Sequence, residues 1–325
     1  MRPAAHPAAL LAVSAALLVG AVLAAPWIRG SDLQGEAAAR VVRELHTPRA
    51  VFGAVAGFGL ALCGVALQAA LKNPLASPYT LGIASGAAVG AVATIQMGVV
   101  VTGVLGLSAV SVGAVTGAAA TALLVYAVAA LRRHAAETLL LTGVAVALLG
   151  GAAVTLLHYL ALSSTVDLLA VVRWSMGGLD VVGWRRVAVA AAFVGGGSAI
   201  VLAVLRDLAV ASLDDDSARG LGVDPIRVRR WVFFGTSVVT AGVVAVAGPV
   251  GFVGLVVPHA VRRFTGPDPR LLLPCAACVG GAFLVACDVL ARTALYPTPL
   301  PINVVTYAFG CPAFVWILVR RGTRA

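Results

Sequence analysis

Few side chains in this chain are equipped for chemistry, and most of them stand in short polar islands. The stretch Leu71 to Gly86, LKNPLASPYTLGIASG, holds the only lysine of 325 residues, beside Asn73 and Pro74. A phosphate-binding loop needs G-x-x-x-x-G-K-[ST]. Lys72 lies between Leu71 and Asn73, which excludes nucleotide binding of that kind. Asp288 is the one acidic residue well inside an apolar run, four residues before Arg292. A carboxylate at such depth is either a proton relay or half of an ion pair. The i,i+4 helical spacing favours a structural pair of Asp288 with Arg292. Cys275 and Cys278 spell C-A-A-C, a spacing found in metal and redox sites. No second pair and no neighbouring histidine completes a site, so they read as small packing residues. His259 has no second ligand near it in sequence either, and no metal site is expected. His158 and Tyr159, near the end of an apolar run, are candidates for contact with a passing solute.

One acidic cluster remains, in SLDDDSARGLGVDP. Ser212 or Asp214 can cap a helix start there, and Asp215 and Asp216 suit the positive end of its dipole. Gly222 can end that helix, with Pro225 expected to prevent its restart. The loop 207–230 is therefore expected to hold one or two short surface helices. It reads either as a connector or as a docking element.

The elements that position these residues are membrane helices. The chain is 61% hydrophobic and 11% charged, against about 25% charged for a soluble domain. Its mean hydropathy is +1.01. So much apolar surface calls for lipid as the solvent. The 36 glycines and abundant alanines suit close helix packing, which lipid does not drive hydrophobically. Gly53/Gly57, Gly82/Gly86/Gly90 and Gly113/Gly117 all show the four-residue spacing. Strands of about ten alternating residues would mark a transmembrane barrel, and none is visible. The net charge of +10 is scattered over span ends rather than gathered in a stripe, so nucleic acid is excluded as a partner.

Ten apolar runs are candidate spans: about 8–26, 50–70, 79–101, 104–131, 138–162, 186–206, 231–248, 250–262, 270–290 and 303–320. The eighth is too short for a straight crossing. Bounded by Gly248-Pro249 and Pro258, it is expected to be a broken helix buried among neighbours. The first run resembles a secretory signal, but an uncleaved first span is the favoured reading. If the N-terminus lies inside and the spans alternate, Arg29, Arg40, Arg43, Arg49, Arg173, Arg185, Arg186 and Arg292 face outward. The other 15 of the 23 basic residues then lie inside. That bias places both termini in the cytoplasm. The segment 163–185, with Trp174 and Trp184, reads as an external, partly helical interfacial piece. The whole chain, 1–325, reads as one transmembrane domain of all-α polytopic class.

Several blocks, in this order, resemble the FecCD-type permeases. These are membrane subunits of ATP-driven importers for ferric siderophores, haem and cobalamin. The blocks include HTPRAVFGAVAGFGLALCGVALQAALKNPLASPYTLGIASGAAVGA, RWSMGGLDVVGW, SARGLGV, VAGPVGFVGLVVPHAVRR and DVLARTALYPTPLPINVVTYAFGCPAFVWILVRR. The resemblance implies a type II importer permease fold of ten helices. It implies a second permease subunit, two cytoplasmic ATPase subunits that hold ATP and Mg, an extracytoplasmic binding protein, and the bacterial inner membrane. No cofactor is implied for this chain. By resemblance, Asn73, Pro74 and Leu75 form a cytoplasmic gate whose other half lies near Glu137 and Thr138. Proline is expected to end the second span there and to keep the third short.

The ATPase-coupling segment corresponds to Asp215, Ser217, Ala218, Arg219, Leu221 and Gly222. Asp214-Asp215-Asp216 stands where relatives often have Gly, an acidic residue and an apolar or Ala residue, and Asp216 is expected to pair with partner charge. Arg49 and Arg292 match the positions that grip the binding protein, and His46 stands where a third arginine is common. On this basis Arg49→Glu is expected to impair uptake while sparing basal ATP hydrolysis. P-Y-T-L-G after N-P-L-A-S resembles ferric-siderophore members more than haem or cobalamin ones. An ion-coupled carrier and a membrane-embedded enzyme are the rival classes. The first would depend on Asp288, and the second would need clustered catalytic groups that are not visible.

Overall fold

In lipid a chain must satisfy its backbone within each segment, and the apolar runs accordingly fold as helices. The structure is a computed structural model, and it describes residues 6–28, 36–99, 108–131, 135–162, 168–179, 183–296 and 298–322. Arg29, Arg132, Arg133 and parts of the external segment lie outside the described residues. Among those described there are 14 α-helices and no strand. They are α1 (Pro7–Ala24), α2 (Glu36–Val41), α3 (Thr47–Ala70), α4 (Ile83–Gln96), α5 (Ala109–Ala130), α6 (Ala136–Leu162) and α7 (Leu168–Met176). Then come α8 (Trp184–Ala203), α9 (Leu205–Ala211), α10 (Asp215–Gly220), α11 (Pro225–Ala247), α12 (Val253–Thr265), α13 (Pro269–Thr293) and α14 (Ile302–Gly322).

Seven helices are long and apolar enough to cross a membrane: α1, α3, α5, α6, α8, α11 and α13. The shorter apolar helices α4 and α14 and the 13-residue α12 supply the remaining three of the ten predicted runs. α3 is the centre of the bundle and packs against α13, α11, α12 and α8. Its apolar side chains are buried almost throughout. Glycines permit the close crossings: Gly57 faces the Gly280 carbonyl, Gly86 and Gly90 face Gly117 and Gly113, and Gly197 faces Gly235.

Three local expectations are corrected. α3 ends at Ala70, ahead of Pro74, in a turn where Lys72 takes a left-handed φ of 50°. Proline therefore follows the helix end rather than causing it. Pro225 does not block a restart but opens α11, its missing N–H falling where no helical acceptor exists. Pro258 does not bound the eighth run; it lies inside an unbroken α12. The break falls earlier, at Gly248 (φ 68°) and Phe252 (φ 70°).

The tolerance of Pro258 has a physical reason. Lacking an N–H, it cannot serve the carbonyl four residues back, that of Gly254. Gln68 Nε2 donates to that oxygen instead at 3.3 Å, while its Oε1 accepts from Arg262 at 3.0 Å. Gln68 is 4% exposed. Gln68→Leu is expected to take this donor from the Gly254 carbonyl and this acceptor from Arg262 and to cost about 1–3 kcal/mol, measured as a lower melting temperature in detergent.

Candidate functional site

Polar residues gather at two ends of the bundle. At the Lys72 end, Asp214 caps α10, its carboxylate accepting from the N–H groups of Asp216 (3.2 Å) and Ser217 (3.1 Å). Those bonds hold its pKa below the ordinary carboxylate value. Gly222, at φ 80°, closes the helix, with the Val223 N–H returning to the Ala218 carbonyl. Asp224 then caps α11 through the Ile226 N–H. The whole segment is thus fixed by local capping chemistry, as its sequence implies.

The three aspartates have separate fates. Asp216 is exposed and binds Arg219 of its own helix at 2.7 Å. Asp215 turns inward. It accepts from Lys72 Nζ at 2.5 Å and from both terminal nitrogens of Arg229 at 3.0–3.2 Å. Partial burial pushes its pKa up, but Lys72 and Arg229 outweigh that and leave it below the usual carboxylate value. The sign follows: the tie is fully present above the ordinary carboxylate pKa and is lost only as pH falls through the depressed one.

Beside it, Asn73 Oδ1 accepts from the Leu75 N–H at 2.8 Å, fixing the turn. A cavity of ≈ 710 Å³ is lined by Asn73, Glu137, Asp215, Arg219 and Arg229. Residues from both halves of the expected gate and from the expected coupling segment therefore meet around one space. Thr138 follows Glu137 in the first turn of α6. Pro74 lines a neighbouring cavity of ≈ 610 Å³, and Leu75 is half exposed. Leu213 and Leu221, flanking α10, are 76% and 69% exposed.

At the opposite end, Arg49 grips Asp288 with Nε at 2.8 and 2.9 Å and a terminal nitrogen at 2.7 Å. Arg292 reaches the same carboxylate only at 4.0 Å and donates to the Ala25 carbonyl. The pair expected from i,i+4 spacing is therefore secondary, and Arg49, from a distant helix, is the principal partner. His46 Nδ1 lies 3.1 Å from the Pro26 carbonyl. The three docking candidates thus share one corner around the end of α1. The Arg49 and Arg292 side chains are only 15% and 13% exposed.

His158 Nε2 lies 3.1 Å from Ser175 Oγ and ties α6 to α7, while Tyr159 beside it is exposed. Three side chains that the sequence did not single out join separate elements: Gln68, Arg229 and Asn303. Asn303 Nδ2 donates to the carbonyls of Met176 and Pro249, and its Oδ1 accepts from the Gly251 N–H. A lone amide inside each apolar run was the only available signal for Gln68 and Asn303.

The all-helical bundle, with seven helices long and apolar enough to cross a membrane, defines the class of an all-α polytopic membrane protein. The chain belongs to the FecCD transport family, which matches residues 8–320. It is 44% identical over 291 residues to the cobalamin import system permease protein BtuC of Halobacterium salinarum, covering 89% of this chain and 76% of that one. It is 36% identical over 311 residues to the vitamin B12 import system permease protein BtuC of an Escherichia coli strain, covering 94% and 92%. A solved structure described as an inward-facing conformation of a metal-chelate type ABC transporter superposes with a TM-score of 0.85 at 28% identity. That match covers 97% of this chain and 100% of the other.

Proposed function

We propose that this chain is the permease subunit of an importer for a large metal chelate, with a corrinoid as the favoured cargo. The similarity to two permeases named for cobalamin or vitamin B12 import, across most of their length, carries that preference. The P-Y-T-L-G tract after Ser77 favours a second reading, a ferric siderophore. In either case the chain supplies a path and its partners supply energy and capture. Two permease subunits stand in the cytoplasmic membrane with both termini inside.

An ATPase pair sits at the Lys72 end. Two exposed leucines beside a capped helix, Leu213 and Leu221, are suited to an apolar groove on such a partner. The binding protein docks at the His46, Arg49 and Arg292 corner. Asn73, Pro74 and Leu75 on one side and Glu137 and Thr138 on the other gate the inner end of the path.

The test is uptake by vesicles containing the permease with its partner ATPase and binding protein. ATP-dependent accumulation of radiolabelled cobalamin, with ferric siderophore left outside, is expected. Accumulation of the siderophore alone would select the second reading. Solute accumulation by the permease without any ATPase would reject both.

A further inference from the structure

Of the three aspartates that open α10, two are used locally and one is not. Asp214 is spent on the cap, and Asp216 is paired within its own helix. Asp215 instead bridges three separate elements. Lys72 comes from the turn between α3 and α4, one residue before Asn73, and Arg229 comes from the second turn of α11.

The geometry favours a deliberate bridge. Lys72 is held in a left-handed conformation that non-glycine residues seldom adopt. Arg229 is 7% exposed, and its two-pronged contact fixes the carboxylate in place. A lysine reaching a carboxylate already fixed gives up less freedom than one closing an open surface pair. α10 itself packs on α9 and α11, and the Lys72 contact reaches it from the α3–α4 turn. The cavity between Asn73, Glu137 and Arg219 leaves room for that turn to move.

We propose that Asp215 is a positioning residue that makes the Asn73 turn follow α10. A displacement of α10 is passed through the Asp215 carboxylate to Lys72, and so to the adjoining turn, while Arg229 keeps the carboxylate anchored to α11. This deepens the functional reading above, because it assigns the path by which movement at the ATPase contact reaches the gate.

The test uses the full chain in lipid nanodiscs, with spin labels introduced by Leu75→Cys and Asp216→Cys and with Cys278 and Cys311 replaced by alanine. The parent is expected to give one narrow distance distribution. Lys72→Met, which leaves the Asp215–Arg229 contact intact, is expected to broaden it at least twofold, and Lys72→Arg to restore most of the narrow population. Asp215→Asn is expected to broaden it too, with the Lys72→Met, Asp215→Asn double variant no broader than the worse single one. An unchanged distribution in Lys72→Met, or additive broadening in the double variant, overturns the proposal. In the assembled importer, Lys72→Met is expected to raise ATP hydrolysed per solute moved by about tenfold, or 1.4 kcal/mol of lost coupling; an unchanged ratio overturns it as well. The distance measurement needs no partner. Absence of transport by the parent assembly would therefore count against the importer reading while the distances still judge the tie.

Discussion

Replacing Asp288 with asparagine is expected to destabilise the folded permease by about 3–5 kcal/mol, the usual cost of removing one partner from a buried ion pair. The carboxylate is 3% exposed, accepts hydrogen bonds from Arg49 and lies 4.0 Å from Arg292. Without its charge, Arg49 and Arg292 face each other in a region where neither is well solvated. Arg292→Gln should cost much less, because it gives up only the long ion contact and a hydrogen bond to the Ala25 carbonyl while Arg49 still neutralises the carboxylate. Melting temperatures of the two variants in one detergent check the order. A parent-like Asp288→Asn, or an Arg292→Gln that is the worse of the two, would show that the clamp contributes little.

The same clamp changes what an Arg49→Glu experiment can reveal. That substitution sets a second carboxylate beside Asp288, so lost uptake would follow from misfolding as readily as from failed docking. Folding of the variant must therefore be measured beside its uptake.

Gly64→Ala is expected to destabilise by about 1–3 kcal/mol, the cost of overpacking. In an open helix the same change would help by roughly 0.5–1 kcal/mol. The sign is set by α12. A methyl group at position 64 would run into the backbone of Gly254, and a carbonyl cannot rotate away as a side chain can. α12 would have to retreat, and the hydrogen bond from Gln68 to the Gly254 carbonyl would lengthen with it. Gly195→Ala, where nothing stands within 4 Å of the new atom, is the control and is expected to be neutral or mildly stabilising. Equal melting temperatures for the two variants would contradict the tight α3–α12 crossing.

The sequence made the spans legible because lipid imposes a length and an apolar composition on each crossing. All ten runs have a helical counterpart, and the α10 caps were readable because Asp214 and Gly222 act on their own neighbours. Long-range partners were not readable. Arg292 looked like the partner of Asp288 because helical spacing is visible in a string of letters, whereas Arg49 lies 239 residues away. Pro258 looked like a boundary because the residue that compensates for it, Gln68, sits on another helix. Each miss concerns a group whose counterpart the tertiary fold alone brings near.

The single carboxamide of Asn303 joins the end of α7, the break before α12 and the start of α14. Its donor and acceptor are both engaged, so an aspartate there would turn an oxygen toward two oxygens. None of the three segments can peel away by itself without breaking a bond that the others share. Displacing any one of them alone therefore costs hydrogen bonds that a joint movement of the three would keep.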